Sequence, residues 1–365
     1  MTSVNIAYGL SGEGRGHSTR AITVAPYLLL TGHKITFFTC CQAVQPLREK
    51  GYIVNELPTP RIQYDKNNNP SSLGTMLYYP AWFLRNRGKV IDLANYLKEH
   101  NYDLIISDYE PLLSRAAKLA NIPLIIYNNQ SFGTHCKLPA DCKTITTGDR
   151  LAMKQLNIIN RMICPDANTT IIAKALPESS LVSKRNTHMV GPPIQECYRG
   201  KRWNGWNSNY IMVYHRKSFL SKMDEVIEFA ESNGCTIKWY GAGEDMSMDN
   251  DIVQFCPEGP SFTRDLENCR YLITPAGAST IGEACHTGTP IILVPEKGQI
   301  EAELNAKLTS YYYPNACTLP MASVTAEELS RVTEDLHGLG ECHIENGSWK
   351  VAEIINQFLK DYYSA

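Results

Sequence analysis

The sequence has no long apolar run and little net charge. None of its apolar stretches approaches the roughly 20 residues that a membrane-spanning helix needs. The formal net charge is -2 at pH 7, so we expect no global attraction to nucleic acid or anionic membranes. No basic segment followed by an apolar run, the pattern of a signal peptide, opens the chain. We therefore expect a soluble, cytoplasmic protein.

The sequence also lacks a C-x-x-C motif, although it contains 12 cysteines. Cys40 and Cys41 are adjacent and the others are scattered. Several of them, such as Cys164, Cys235 and Cys285, stand beside apolar residues like small core side chains. This pattern is not typical of a secreted disulfide scaffold and indicates reduced thiols.

The length of 365 residues exceeds the size at which a single hydrophobic core stops growing, so we expect two domains. The first half alternates apolar strand-like runs with helical patterns, which favours a parallel, doubly wound sheet. The predicted strands are Val4–Tyr8, Lys34–Thr39, Tyr52–Leu57, Leu104–Ser107 and Leu124–Tyr127, with helices through 21–30 and 44–50.

The same alternation restarts in the second half, after the V-G-P-P-I segment at 190–194. Predicted strands there are Tyr210–Tyr214, Thr236–Tyr240, Ile252–Phe255, Tyr271–Thr274 and Ile291–Val294. Two prolines and a glycine end regular structure at 190–194, so we place the domain boundary there. We thus expect domains at 1–194 and 195–348, and a closing helix at 349–365 with apolar residues at helical spacing. Two similar α/β halves predict a cleft, with ligands at the carboxyl ends of the strands.

A glycine-rich loop follows the first strand and leads into a helix over residues 9–20 (GLSGEGRGHSTR). Glycines at this spacing allow close backbone approach to a ligand. A nicotinamide dinucleotide fold uses a similar turn, but it needs an acidic residue after the second strand, where this chain has Thr39, Cys40 and Cys41. His17 lies on the first turn of the predicted helix, where the helix dipole favours a neutral base. The alternative is a structural histidine bonded to a neighbouring carbonyl.

Asp108 directly follows a predicted buried strand and should lie at the same edge of the sheet as His17. It can orient His17 or act as a base itself, or else cap the following helix. Asn129 and Gln130 follow the next strand. We assign acceptor binding to loop residues Gly14, Arg15 and Gly16 and to Asn129 and Gln130.

A second phosphate-binding pattern lies at residues 274–284 (TPAGASTIGEA). A strand ends in a turn of small residues, and a helix starts at about Ala278. The free N–H groups of Gly277 to Thr280, including Ala278 and Ser279, predict a site for a diphosphate. Glu283, one turn later, is placed to accept hydrogen bonds from ribose hydroxyls.

Taken together, three patterns resemble the UDP-glycosyltransferase superfamily of GT-B enzymes. They are G-x-G-x-G-H near the start, S-D-x-E-P in the first half, and G-x-x-T-x-x-E…G-x-P…N-A in the second half. They are similar to the branch of the cell-wall N-acetylglucosaminyltransferase with a lipid-linked acceptor. The resemblance implies two Rossmann-like domains facing across a cleft, the acceptor domain first and the donor domain second. It also implies inversion at the anomeric carbon without an essential metal, the diphosphate at 277–280, the ribose at Glu283 and His17 beside the acceptor.

The sequence departs from the family where many relatives carry Asp-Gln or Gln-Gln to hold the donor sugar. Glu301 and Ala302 stand at those positions, and alanine cannot form a side-chain hydrogen bond. Arg216, after the first strand of the second half, is either a partner for the leaving diphosphate or part of a solvated charge run. Asp249 and Asp251 match a metal-binding D-x-D pattern, but a turn before a strand is the favoured interpretation.

Two segments rich in aromatic and basic residues lie at 76–89 and 198–206. They suit an acceptor loop, a peripheral membrane contact or nucleic-acid stacking, and also ordinary core aromatics flanked by solvated charges. The predicted function is an inverting glycosyltransferase with a nucleotide-diphosphate donor, such as a UDP-sugar, and a hydroxyl acceptor. We expect no cofactor and no metal. The alternatives are a sugar-nucleotide epimerase and a non-catalytic sugar-nucleotide binding protein.

Overall fold

A computed structural model describes residues 3–61, 63, 72–243, 246, 251–257, 259–334, 336 and 344–364. The chain divides into two compact units. The N-terminal unit comprises Met1–Pro193 and Asn346–Ala365, and the C-terminal unit comprises Ile194–Glu345. Asp249 and Asn250 of the D-x-D pattern lie outside the described residues.

The N-terminal unit is built on a seven-stranded sheet in the order β3-β2-β1-β4-β5-β6-β7, and all its strand pairs are parallel. The strands are β1 (Asn5–Leu10), β2 (Lys34–Thr39), β3 (Ile53–Glu56), β4 (Leu104–Asp108), β5 (Leu124–Asn128), β6 (Thr169–Ala173) and β7 (Thr187–Val190). The helices are α1 (Arg15–Leu30), α2 (Val44–Glu49), α3 (Ser72–Glu99), α4 (Pro111–Ala120), α5 (Phe132–His135), α6 (Thr147–Ile163) and, from the C-terminal end of the chain, α12 (Ser348–Ser364).

The C-terminal unit contains a six-stranded sheet in the order β10-β9-β8-β11-β12-β13, again with parallel pairs. Its strands are β8 (Tyr210–Tyr214), β9 (Thr236–Tyr240), β10 (Val253–Phe255), β11 (Leu272–Thr274), β12 (Ile291–Leu293) and β13 (Ala316–Thr318). Its helices are α7 (Met223–Ser232), α8 (Pro260–Asn268), α9 (Ala278–Thr287), α10 (Ile300–Tyr312) and α11 (Ala326–Glu334).

Both faces of the N-terminal sheet are covered by helices, and this explains the continuous apolar strands. Side chains of β1 and β4 that point to one face, such as Ile6 and Ile106, pack with α1 and α12. Those that point to the other face, such as Ala7 and Ile105, pack with α3 and α4. Strands buried on both faces read as unbroken apolar runs, so they were visible in the sequence.

The last helix returns to the N-terminal unit and completes its core. Val351, Ala352, Ile355 and Leu359 of α12 are buried in the same cluster as β1 and α1. The two connections between the units touch each other, because the Gly347 N–H donates to the Pro192 carbonyl at 3.1 Å. A Cβ at Gly347 would overlap the backbone of Gly191, so this crossing requires glycine.

The structure has several elements that the sequence analysis missed. Strands β6, β7 and β13 were not predicted. Helix α1 spans Arg15–Leu30, so it covers the predicted range 21–30 and has His17 on its first turn, as expected. The aromatic-basic segment 76–89 is not a loop, because it lies within the 28 residues of α3. Pro80 and Gly88 interrupt the helical pattern of this segment in the sequence, yet α3 continues through both.

Within the described residues, none of the helices combines the length and the apolar character needed to cross a membrane.

Candidate functional site

The first candidate site begins at the glycine loop between β1 and α1. Gly12 packs so closely on Cys40 that a Cβ would overlap the Cys40 backbone and thiol. Gly14 has φ +76 and is the N-cap residue of α1, without a side-chain cap. The loop thus turns sharply into the helix and sets His17 on its first turn.

The second part of this site follows β4, the strand beside β1 in the sheet. Asp108 ends β4 and is fully buried. Tyr109 has φ +62, a left-handed conformation that is uncommon for an aromatic residue and stores strain. Glu110 caps α4 by accepting hydrogen bonds from the N–H groups of Leu112 and Leu113. The capping role considered for Asp108 therefore belongs to Glu110, and the Asp108 carboxylate is available to α1.

Three side chains meet where these segments come together. His17 Nδ1 lies 2.9 Å from Asp108 Oδ1. Arg20, one helical turn after His17, donates from Nε to Asp108 Oδ2 at 2.8 Å and from Nη2 to Oδ1 at 3.1 Å. This is a bidentate pair, and both side chains are buried. The Tyr109 ring stacks alongside His17, with centroids 6.4 Å apart and an interplanar angle of 18°.

The charges of this cluster determine which nitrogen of His17 carries a proton. Burial alone would raise the pKa of Asp108, but the charge of Arg20 and the hydrogen bonds from Arg20 and His17 outweigh it and lower the pKa. An ionised Asp108 only accepts hydrogen bonds, so it favours the His17 tautomer with a proton on Nδ1. Nε2 of that tautomer has a free lone pair. The Arg20 guanidinium lies 3.2 Å from Nδ1 and only donates, so it opposes this tautomer from a longer distance.

Polar residues after β5 form the third part of this edge. The Asn128 side chain accepts from the Ser131 N–H at 2.8 Å, and the Gln130 carbonyl accepts from Asn160 at 2.7 Å. Asn129 and Gln130, the predicted acceptor residues, are both buried. The side-chain oxygen of Gln130 is buried without a hydrogen-bond partner among the described residues. Such a group is costly unless a ligand or water satisfies it.

The second candidate site lies in the C-terminal unit, at the start of α9. Gly277 is the N-cap residue, is exposed, and has no side-chain cap, so the first N–H groups of α9 are not occupied by a capping side chain. Ala278 and Ser279 are partly exposed and Thr280 is buried. A helix N-terminus of this kind attracts anions through its N–H groups and its dipole.

The turn before α9 is held in place by α10. Ala276 is buried and has φ +66, a strained value for a residue other than glycine. Its carbonyl accepts a hydrogen bond at 3.1 Å from the buried side chain of Asn305. Asn305 thereby fixes the turn that presents the N–H groups of α9.

Glu283 is buried one turn into α9. Its Oε1 accepts from Gln195 Nε2 at 3.1 Å, and the buried side chain of Tyr198 also bonds to it. Burial raises the pKa of Glu283 to about 7, and the hydrogen bonds of Gln195 and Tyr198 oppose that rise only in part. Tyr198 opens the aromatic-basic segment 198–206. Trp203 of the same segment donates to the Cys269 carbonyl at 2.7 Å, so this segment packs on its own unit.

Arg216, the predicted partner of the diphosphate, already forms an ion pair. Its Nη1 lies 3.3 Å from Glu296 Oε2, and its side chain is 61% exposed. Ser218 and Gln299 also donate to Glu296, at 3.1 and 2.9 Å. The preceding His215 is buried and bonds to the Val294 carbonyl at 3.0 Å, and burial lowers its pKa. His215 is therefore a neutral residue that joins the ends of β8 and β12.

Glu301 and Ala302 lie in the first turn of α10. Glu301 is partly exposed, whereas Ala302 is buried. Of the two positions that hold donor sugar hydroxyls in many relatives, only the first presents a polar side chain here.

The sequence predicted no role for five residues of these two sites: Arg20, Tyr109, Gln195, Tyr198 and Asn305. Asn305 is the asparagine of the N-A pattern, but its contact with the Ala276 carbonyl was not expected. Arg20 had a visible signal, because it stands three residues after His17 on a helix and so shares its face. Gln195 and Tyr198 come from the segment after the first connection, where no periodicity places a side chain.

Comparison with known proteins identifies the family. A model of "Glycosyl transferase family 1" matches residues 4–325. A protein of Methanosarcina mazei described as an uncharacterized glycosyltransferase is 23% identical over 320 residues, which are 81% of this chain and 81% of that protein.

Solved structures show the same fold across nearly the whole chain. The glycotransferase of kitacinnamycin matches with a TM-score of 0.69 and 17% identity, over 98% of this chain and 99% of that chain. Acinetobacter baumannii MurG matches with a TM-score of 0.62 and 14% identity, over 97% of this chain and 99% of that chain. Arabidopsis thaliana UGT89C1, complexed with UDP-L-rhamnose, matches with a TM-score of 0.64 and 14% identity, over 99% of this chain and 95% of that chain. The predicted lipid-linked branch is thus one of several to which the fold is similar. The two-domain GT-B prediction is confirmed, and the chain is a glycosyltransferase that belongs to glycosyl transferase family 1.

Proposed function

We propose that this glycosyltransferase moves a sugar from a nucleoside diphosphate donor, such as a UDP-sugar, to a hydroxyl group, with inversion at the anomeric carbon. The observation that carries the proposal is the contact between His17 Nδ1 and an ionised Asp108 at 2.9 Å. It leaves Nε2 of His17 as the basic atom.

In the proposed reaction, Nε2 removes the proton of the acceptor hydroxyl while its oxygen attacks the anomeric carbon. The bond between that carbon and the diphosphate oxygen breaks, and the diphosphate leaves with the electron pair. Asp108 stabilises the imidazolium that forms, as a carboxylate does in a catalytic triad. The reaction requires no cofactor or metal in this proposal.

The donor site we propose is the start of α9. The N–H groups of Gly277 to Thr280 face developing negative charge on the diphosphate, which a helix N-terminus stabilises. In this proposal Glu283 accepts hydrogen bonds from the ribose hydroxyls. Arg216 contacts the diphosphate, and Glu301 contacts the donor sugar. The partial exposure of Ala278 and Ser279 and the absence of a side-chain cap on α9 support this assignment. So does the neighbour of similar fold that was complexed with UDP-L-rhamnose.

The donor half is tested by a thermal-shift panel of UDP, dTDP, GDP, ADP and NAD with the intact protein. A ligand at about 100 times its Kd stabilises the folded state by about 2.7 kcal/mol. We expect one nucleoside diphosphate to give this shift, and Glu283→Ala to lose it. A shift with NAD but with none of the diphosphates would contradict the proposal.

The catalytic half is tested with the donor found in that panel and a library of hydroxyl acceptors. We expect His17→Ala to lower kcat by about 10²- to 10⁴-fold, the usual contribution of a general base. His188→Ala is the control, because His188 lies on the edge strand β7 of the same unit. NMR of the product should show an inverted anomeric centre. Full activity in His17→Ala would show that another group is the base, and isomerisation of the donor without an acceptor would identify an epimerase.

A further inference from the structure

Two adjacent cysteines stand beside the glycine loop and have no place in the proposed reaction. Cys40 and Cys41 follow β2, and their Sγ atoms lie 2.9 Å apart. Cys41 is exposed and Cys40 is partly buried. The Cys40 thiol donates to the Thr59 hydroxyl at 3.2 Å. Two thiols that already touch need only a small side-chain movement to form a bond.

The segment that carries these thiols also supports the glycine loop. Gly12 packs directly on the carbonyl and thiol of Cys40. Gln42, next to Cys41, accepts a hydrogen bond from the Gly14 N–H at 3.2 Å. Gly14 is the N-cap residue of the helix that carries His17. A change of backbone geometry at Cys40 and Cys41 is therefore passed directly to the loop.

Chain geometry makes such a change unavoidable when the thiols join. Consecutive Cα atoms are about 3.8 Å apart across a trans peptide, whereas disulfides usually need about 4.4–6.8 Å. The backbone between the two residues must therefore distort when the bond closes. Cys41 already has φ +54, so this turn is strained before any bond forms. Strained, exposed disulfides are also the ones that thiols reduce readily.

We propose that Cys40 and Cys41 form a vicinal dithiol that small-molecule disulfides oxidise reversibly, and that closure of the Cys40–Cys41 bond displaces the loop Gly12–Gly16. Reduction by a free thiol restores the loop. Both cysteines lie in the N-terminal unit, and their oxidation requires neither a bound donor nor a bound acceptor.

The oxidation proceeds in two thiol exchanges. The exposed Cys41 thiolate attacks one sulfur of the oxidant, forms a mixed disulfide and releases the first small thiol. The Cys40 thiolate then attacks the Cys41 sulfur and expels the second small thiol. One disulfide is consumed and one is formed, and both cysteine protons end on the two released thiols. Burial raises the pKa of Cys40 to about 11, so the second exchange, in which the Cys40 thiolate is the nucleophile, accelerates toward alkaline pH.

The modification is tested by incubating the whole protein with glutathione disulfide, followed by intact mass and peptide mapping. We expect the peptide that contains both cysteines to lose two hydrogens and to regain them with dithiothreitol. The exposed position of Cys41 lets Cys41→Ser fold normally, and this variant should not lose the hydrogens. Cys40→Ser should trap a stable glutathione adduct on Cys41. Cys256→Ser, a partly buried cysteine of the other unit, is the matched control and should behave as the parent. A stable adduct or an unchanged mass in the parent protein would overturn the proposal.

The displacement is tested by amide hydrogen exchange of the reduced and oxidised proteins. We expect the amides of residues 12–17 to exchange at least about fivefold faster after oxidation, as in a segment that has lost local protection. Amides of β8 in the other unit should be unchanged. Equal exchange of the loop in both forms would show that the disulfide forms without moving it.

Discussion

Two buried carboxyl groups, one in each unit, have pKa values that are shifted in opposite directions. The side chains of Asp108 and Glu283 are both buried. Asp108 faces the guanidinium of Arg20 and has a lowered pKa, whereas Glu283 faces the neutral donors Gln195 and Tyr198 and has a pKa of about 7. Burial is common to both, so the partner decides the charge. The N-terminal unit thus keeps a permanent charge pair beside His17, and the C-terminal unit keeps a carboxyl group that titrates near neutral pH.

The strongest test of this contrast removes the charge of Asp108. Asp108→Asn leaves the buried guanidinium of Arg20 without a counter-charge, and we expect the free energy of unfolding to fall by about 3–5 kcal/mol. Urea denaturation measures the loss. Asp92→Asn, an exposed aspartate on α3, is the control and should change little. Combining Asp108→Asn with Arg20→Met should restore most of the stability. A loss below about 1 kcal/mol would mean that the buried pair of Asp108 and Arg20 contributes no more than an exposed ion pair.

The second test uses pH on Glu283. The folded protein holds its proton up to about pH 7, whereas an unfolded glutamate releases it near 4.5. The contribution of protonated Glu283 to the free energy of unfolding is therefore fully present below pH 4.5 and is lost as the pH rises to about 7. This loss amounts to about 3 kcal/mol. Glu283→Gln should remove this part of the pH dependence in denaturation curves measured across that window.

Donor binding should have the opposite pH dependence, because only ionised Glu283 has two oxygens that both act purely as hydrogen-bond acceptors for the ribose hydroxyls. We expect nucleoside diphosphate affinity in the parent protein to rise through about pH 7. Glu110→Gln is the control for the pH effect, because burial also raises the pKa of Glu110 to about 7 although it caps α4 in the other unit. If Glu110→Gln rather than Glu283→Gln abolished the pH dependence of binding, the ribose assignment would fail.

The third test concerns backbone rather than charge. Asn305→Ala deprives the buried Ala276 carbonyl of its partner, at a cost of about 1–3 kcal/mol. Because the turn before α9 loosens, calorimetry should show weaker binding of the nucleoside diphosphate with little change for the nucleoside. Asn315→Ala is a matched control, since Asn315 makes a similar buried bond to the Thr289 carbonyl beyond the other end of α9. The two variants should lose similar stability. Equal diphosphate affinity in both would show that Asn305 does not shape the anion site.

The smallest effect is expected at Arg216. Arg216 is the exposed member of its pair with the buried Glu296, and Glu296 keeps its hydrogen bonds from Ser218 and Gln299 without it, so Arg216→Ala should change stability by no more than about 1 kcal/mol. Arg199→Ala breaks the pair with Glu196, in which both side chains are exposed, and should have a similarly small effect on denaturation. Only Arg216→Ala should weaken diphosphate binding, and less so at high salt. A loss of stability in Arg216→Ala as large as that in Asp108→Asn would show that the exposure of Arg216 does not weaken its pair with Glu296.

The sequence predicted the central strands because their burial on both faces leaves continuous apolar runs, as in Leu104–Ser107. Strand β6 begins with two threonines, β7 contains a threonine and a histidine, and β13 reads Ala-Cys-Thr, so none of them is a continuous run of large apolar residues. The residue pattern alone also failed to predict α3, because Pro80 is unfavourable inside a helix. The tertiary contacts of the buried Tyr79 and Trp82 outweigh that unfavourable helix propensity.

The candidate sites were predictable to the extent that strand ends determine them. His17 and Asp108 follow neighbouring parallel strands, and their proximity follows from the sheet order. The helical spacing put Arg20 on the same face as His17, but the burial of Arg20 against Asp108 was not predictable, because arginine is usually exposed. The same holds for Gln195 and Tyr198, whose contact with Glu283 joins residues 88 and 85 positions apart that no local pattern connects.

The paired glycines at the crossing between the units have a consequence for how the protein is made. A ribosome completes residues 194–345 before it adds the helix that supplies Val351 and Ile355 to the first core. The N-terminal unit is therefore the first to be started and the last to be completed by the ribosome. Until α12 is synthesised, the apolar residues of β1 and α1 that pack against it remain uncovered. Because Gly191 and Gly347 touch, the later unit is topologically an insert, and a chain that joins these two glycines directly should still fold around its own sheet.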